Sequence, residues 1–323
     1  MAELGVAFDG RNTIQAAREQ ARAAEADGAS NLWVSSHLFL RDPFSTAAVL
    51  LEATRRPRIT LMAVSPQVMH PVHIAMAAMT LDELAPGRVA MCIGTGAPGD
   101  LADAGVEAQR PLRVLAETID ALRGLLSGEQ RKYAGEVFRL SGRRMARPAN
   151  DVPIFVAASK PKALELAGRM ADGVVLSTSS SVEFVRWSLD HVDRGAQGRR
   201  VHRAGLVYAY ASDDPAQSLG RFRRQLGITL RGQHHATNLS LAGSTMDQPA
   251  VREAMAREDW KAFETLVSDD TVRRHTACGT AGEMRARLDA YRAAGLDEIV
   301  LAGLYAPDET RANADVALGR RSR

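Results

Sequence analysis

Residues 59–96 read ITLMAVSPQVMHPVHIAMAAMTLDELAPGRVAMCIGTG. A nearly continuous apolar run, Ile59–Ser65, leads into a helical stretch, Pro71–Leu84. A second apolar run, Arg88–Gly96, follows it. Runs with so little polar alternation belong to strands buried on both faces, the condition of a parallel sheet. Pro71 suits the first turn of a helix, where a missing N–H costs nothing.

The same unit recurs outward in both directions. Further apolar runs are Leu4–Phe8, Asn31–Ser35, Pro153–Ser159, Gly173–Thr178, Arg203–Ser212 and Glu298–Leu304. Amphipathic stretches lie between them at Ile14–Ala26, Pro43–Thr54, Pro111–Leu126, Lys162–Met170 and Val182–Arg194. Asp27-Gly28, Asp172-Gly173 and Ala294-Gly295 carry the glycine expected just past a helix. Eight strands alternating with helices predict a single α/β domain over residues 1–323, a (β/α)8 TIM barrel. An open doubly wound sheet is the competing fold. It would carry a G-x-G-x-x-G turn after its first strand, and Asp9-Gly10-Arg11-Asn12 stands there instead. Two stretches break the rhythm. Gln130–Leu140 reads as a small hairpin, and residues 230–270 read as an insertion before the last βα unit, placed to act as a lid or active-site wall.

Composition narrows the function. The 323 residues are 46% hydrophobic and 24% charged, with a net charge of +3, as in an ordinary globular protein. The arginines are dispersed, which argues against nucleic acid and against an anionic membrane surface as partners. The one basic run, Gly319–Arg323, reads as a solvated tail. Cys92 and Cys278 are far apart and fit neither a disulfide framework nor metal-ligand spacing. No apolar run reaches the ~18 residues of a membrane span, and the first residues lack signal-peptide features. The expectation is a cytoplasmic protein with reduced thiols.

In such a barrel the chemistry sits at the C-terminal ends of the strands. Those ends carry Ser35-Ser36-His37, Val64-Ser65-Pro66-Gln67, Gly94-Thr95-Gly96, Ser159-Lys160 and Ser177–Ser181, with Tyr208 and Tyr210 on strand seven. The set is rich in hydroxyls and glycines and poor in acids, and no metal-ligand spacing occurs there. His70 and His73 read as helix-surface or capping residues, and His234-His235 likewise. Neither G-x-S-x-G nor G-x-x-x-x-G-K is found, so acyl and phosphoryl transfer lack support. Ser159-Lys160 opens a helix, where free N–H groups and the helix dipole favour an anion. The serine run would lie beside it, so the two together suit a phosphate. The same residues read equally well as a helix cap and a flexible loop. Gly94-Thr95-Gly96 lets backbone approach a flat ligand, or simply makes a turn.

The ordered series His70-Pro71, Ala75, Thr80–Leu84, Gly87-Arg88, Gly94-Thr95-Gly96 resembles the luciferase-like monooxygenase superfamily, in particular its coenzyme F420-dependent, methylenetetrahydromethanopterin reductase-like branch. Phe155–Ser159 with Ala171-Asp172-Gly173, and Gly279–Glu283 with Ala294–Asp297, continue it along nearly the whole chain. The resemblance implies an oxidoreductase that moves a hydride between F420 and a small organic substrate. FMN is the alternative cofactor, with an FMNH2-dependent monooxygenase or a non-catalytic cofactor-binding barrel as rival readings. It implies a homodimer, and a non-proline cis peptide at Ala63–Val64 supporting the ring. It places cofactor contacts at Ser36, Gly94, Thr95, Gly96, Ala158, Ser159, Lys160, Leu176 and Ser177, and a polar role facing ring or substrate at His37. Two departures stand out: Ser36 replaces a common acid, and Ala97 stands where the sugar-phosphate dehydrogenases of this branch have a glutamate.

Overall fold

The computed structural model describes residues 3–130 and 132–320. Its strands are β1 (Glu3–Phe8), β2 (Asn31–Ser35), β3 (Arg58–Val64), β4 (Val89–Ile93), β5 (Tyr133–Ala134), β6 (Arg139–Leu140), β7 (Ile154–Ala157), β8 (Gly173–Leu176), β9 (His202–Ala211), β10 (Ala277–Gly279) and β11 (Glu298–Ala302). Parallel pairings run β1-β2-β3-β4-β7-β8-β9-β11 and return to β1, so eight strands close a barrel. β5 and β6 form the small antiparallel hairpin expected between units four and five.

Two apolar layers hold this together. The outer one packs the outward face of the strands against the surrounding helices, through residues such as Leu32, Ile59, Leu61, Ile74 and Leu115. The inner one fills the barrel. Trp33 and Phe155 meet edge to face there, 5.5 Å between ring centroids. Their bulk requires small neighbours. A Cβ on Gly5 would lie 3.1 Å from the Trp33 ring, and one on Gly173 2.3 Å from the Phe155 ring. That contact also corrects one expectation. Asp172-Gly173 is no helix-ending turn: Gly173 opens β8, and the Asp172 carboxylate accepts from Ile154 N–H at 2.8 Å. Gly28 and Gly295 do end helices, with φ of +93° and +110°. His70 caps its helix as read, its Nδ1 accepting from Val72 N–H at 3.2 Å.

The excursion before the last βα unit is longer than residues 230–270. Six α-helices, from Pro215–Gly220 through Asp269–His275, lie between β9 and β10. They share an apolar cluster, with Phe222, Leu226 and Phe263, that is continuous with the barrel interior through Tyr208 and Ala302. β10 was not foreseen. It is three residues long and pairs with the far end of β9. Of the basic tail, Arg320 donates to the Asp27 carbonyl at 2.9 Å, and residues 321–323 lie outside the described residues. Among the described residues no helix is long and apolar enough to cross a membrane.

Candidate active site at the barrel mouth

β3 breaks its pairing with β4 between Leu61 and Val64. The irregular pair is Met62 and Ala63, and the non-proline cis peptide is Met62–Ala63, not Ala63–Val64. The physical reason is register: Val64 has already resumed its pairing, opposite Ile93. Ser36 N–H donates to the Met62 carbonyl, and Gly94 N–H donates to the Val64 carbonyl at 3.1 Å. The ends of β2, β3 and β4 are thereby joined around the bulge. Gly94 has no room for a side chain, since a Cβ there would lie 2.8 Å from Ala63 Cβ. Gly96 has φ +83°, and a Cβ on it would press on Leu101 and the Ser65 hydroxyl. Beyond them Thr95, Gly96 and Lys160 line a cavity of about 590 Å³, walled by Pro98, Leu101 and Glu107.

His37 lies just past β2, exposed at its surface but set among the protein groups of the mouth. That crowding holds its imidazole below the usual value, although Asp100 and Asp9 pull the other way. It is therefore neutral at pH 7, with one ring nitrogen to donate and one to accept. Next to it stands a pair that the sequence reading did not single out. The Tyr305 hydroxyl donates to Asp9 Oδ2 at 2.8 Å, and Arg11 contacts the same carboxylate oxygen at 2.6 Å. Burial and the Asp9 charge push the Tyr305 hydroxyl up to about 12. The available signal was Asp9 itself, an acid directly after strand one. Tyr208 is a buried structural residue stacked on Phe222 at 4.8 Å, whereas Tyr210 lies under the Arg221 guanidinium.

The phosphate corner divides. Lys160, not Ser159, is the N-cap of the helix Pro161–Met170, and no side chain caps that helix. Ser159 is thus not consumed as a cap, and the helix start is open to an anion. Ala158 N–H reaches back to the Val175 carbonyl at 3.4 Å. Leu176 is 1% exposed, so only its backbone can contribute, while Ser177 is exposed. The other serines are not a loose loop. Ser179–Ser181 are buried, and their backbone is pinned by Asn238, His275 and Tyr291. The Ser179 hydroxyl is buried without a partner.

His275 donates from Nδ1 to the Ser179 carbonyl at 2.9 Å, which leaves Nε2 to accept from Ser244 at 2.8 Å. Burial lowers its pKa to about 4. The excursion also brings His234 toward this corner. Burial holds its imidazole down, followed by the charges of Lys160 and Arg231. His234 is exposed and His235 is the N-cap residue of the helix Ala236–Ala242, in line with the helix-surface or capping role expected of the pair.

The closed parallel barrel, with its cavity at the C-terminal ends of the strands, defines the class as an α/β barrel whose candidate site lies at its mouth. Residues 2–298 match the family described as luciferase-like monooxygenase, and the chain belongs to that family. Its relatives include the 5,10-methylenetetrahydromethanopterin reductase of Methanolobus tindarius, 27% identical over 318 residues and 96% of each chain. The F420-dependent glucose-6-phosphate dehydrogenase of Mycobacterium avium (strain 104) is 28% identical, over 93% of this chain and 92% of its own. The fold is shared with the coenzyme F420 dependent tetrahydromethanopterin reductase from Methanopyrus kandleri (TM-score 0.90, 18% identity, 99% and 98% of the two chains). It is shared also with an F420-dependent secondary alcohol dehydrogenase (TM-score 0.80, 19% identity, 98% and 99%).

Proposed function

We propose that this protein is an oxidoreductase that moves a hydride between coenzyme F420 and a small organic substrate. The observation that carries the reading is the cavity of about 590 Å³ at the barrel mouth, where Thr95 and Gly96 after β4 meet Lys160 at the open start of a helix. The relative named as an F420-dependent glucose-6-phosphate dehydrogenase supports the choice of cofactor.

The residues present fit such a group. The uncapped helix start at Lys160, with Ser159 and Ser177 beside it, suits its phosphate. When bound, the deazaflavin supplies a two-electron carrier that gives or takes a hydride. The protein's part is orientation, exclusion of water and placement of protons. Neutral His37 can donate to or accept from a substrate oxygen at the mouth. Ala97 offers no acid, and the acid lining the cavity is Glu107. Substrate protonation by a residue at position 97 is therefore closed to this chain, which separates it from the sugar-phosphate dehydrogenase pattern. Assembly as a homodimer is part of the same proposal.

The test is titration of the purified protein with F420 and, separately, with FMN, followed by anaerobic assay of F420 absorbance with carbonyl and alcohol substrates. F420 binding with turnover is expected. Tight FMN binding without F420 affinity overturns the reading in favour of an FMN enzyme, and F420 binding without turnover on any substrate favours a non-catalytic barrel.

A further inference from the structure

We propose that Glu3, His202 and Glu298 form a divalent-cation site of the zinc class on the barrel floor, at the end opposite the candidate active site. The three residues come from β1, β9 and β11, which are hydrogen-bonded neighbours where the barrel closes. One ligand atom from each lies within 4.8 Å of the others. His202 Nε2 and Glu298 Oε2 are 3.2 Å apart. Zinc bonds to imidazole nitrogen and carboxylate oxygen are about 2.0–2.2 Å in tetrahedral geometry, so the edge between two ligand atoms is about 3.3 Å. The pair is spaced for a shared cation, and a modest swing of the exposed Glu3 carboxylate brings the third ligand in. Water completes the set.

Two independent features favour a cation here. The first is charge. Glu298 is fully buried, yet its other partners are neutral: Trp33 Nε1 at 2.7 Å and the Asn31 amide at 3.4 Å. Among the described residues no lysine or arginine is ion-paired with Glu298 or Glu3. A buried carboxylate without a fixed cation is costly, and a divalent ion offsets that cost. The second is preorganisation. Trp33 fixes Glu298 Oε1, and Asn31 is itself held by Thr60 Oγ1 at 3.0 Å. The His202 ring stands edge-on to Phe155 at 5.7 Å. Outer groups that fix ligand orientation in this way are what metal sites require. His202 is one-quarter exposed and Glu3 is open, so solvent reaches the site. The bound ion would clip the seam of the barrel. The inference uses none of the residues assigned to F420.

The experiment uses tag-free, chelator-treated protein, titrated with zinc alone by calorimetry and with cobalt alone by visible absorption. Expected are one equivalent bound in the micromolar range or tighter, a tetrahedral cobalt spectrum, and a melting temperature raised by a few degrees. Glu3→Gln changes an exposed side chain and leaves the metal-free melting temperature as in the wild type, but weakens zinc binding roughly 10-fold or more. His202→Gln abolishes it. Absence of stoichiometric binding, or equal binding by Glu3→Gln and wild type, overturns the proposal and leaves the cluster as a hydrogen-bonded plug.

Discussion

The side-chain amide of Asn238 donates to the Ser179 carbonyl at 2.7 Å, and its oxygen accepts from Ser181 N–H at 3.0 Å. One buried side chain of the excursion thus satisfies two backbone groups of the loop after β8. Replacing Asn238 by alanine strands the Ser181 N–H, a cost of about 1–3 kcal/mol, while the Ser179 carbonyl keeps its bond from His275. We expect Asn238→Ala to lower the denaturation midpoint and to weaken F420 binding through the displaced Ser177. Unchanged binding in a destabilised variant would separate the excursion from the phosphate corner.

His275 and His235 give the fold a dependence on acid. Burial puts His275 near 4 and His235 near 3 in the folded protein, against about 6.5 in an unfolded chain. Between those values the unfolded chain binds protons that the folded chain does not, so stability falls as pH falls from about 6.5 toward 4. Melting curves from pH 7 to pH 5 should show the loss, and His275→Asn should flatten the slope. A melting temperature constant over that range in the wild type would contradict the assignment.

Gly94→Ala puts a methyl group 2.8 Å from Ala63 Cβ and 3.6 Å from Ala157 Cβ, and both of these are bonded directly to backbone and cannot swing away. Overpacking of this kind costs about 1–3 kcal/mol. Here it also pushes on the β3 bulge, so loss of F420 affinity should exceed the loss of stability. Fluorescence titration and chemical denaturation of the same preparation compare the two.

His37→Asn keeps a polar side chain and removes the imidazole. Loss of a positioned donor or acceptor costs about 100-fold in turnover, with F420 affinity changed only a few-fold. Because the His37 pKa is held below its usual value, the wild-type rate should stay flat through neutral pH and fall on the acid side. A profile unchanged by the substitution would remove His37 from the chemistry.

Glu117 is 4% exposed and accepts from the N–H groups of Glu136, Val137 and Phe138 at 2.9–3.0 Å. Burial opposes its ionisation, but those three donors outweigh burial and keep its pKa below the usual value. Glu117→Gln should cost about 2 kcal/mol and speed proteolysis within residues 132–140. Gly135→Ala, whose methyl would lie 2.1 Å from Glu117 Oε2, should do the same by steric means.

Much of this was legible in the chain because it is a matter of period and local chemistry. Runs such as Ile59–Ser65 reveal burial on both faces directly, and His70 caps the helix that its position before Pro71 predicts. The bulge was placed one bond late because sequence carries no record of register, which is fixed by how Val64 pairs with Ile93. Gly173 was misread because its role depends on Phe155, eighteen residues away and on another strand. Likewise the serine run is held by Asn238, His275 and Tyr291, whose proximity only tertiary packing creates. Asp9 and Tyr305 sit at opposite ends of the sequence, and barrel closure alone brings them together.

β9 is ten residues long, and its length is shared. Ala204–Tyr208 pair with β11, while Ala209–Ala211 pair with β10. The excursion therefore departs from the end of β9 and returns beside the same strand edge, with Ala277 opposite Ala209. Residues 212–276 are in effect a cartridge joined at one strand edge and seated on the loop after β8 through Asn238 and His275. Exchange of that cartridge between family members, cut at the same strand pair, is a route to new substrate ranges on an unaltered barrel.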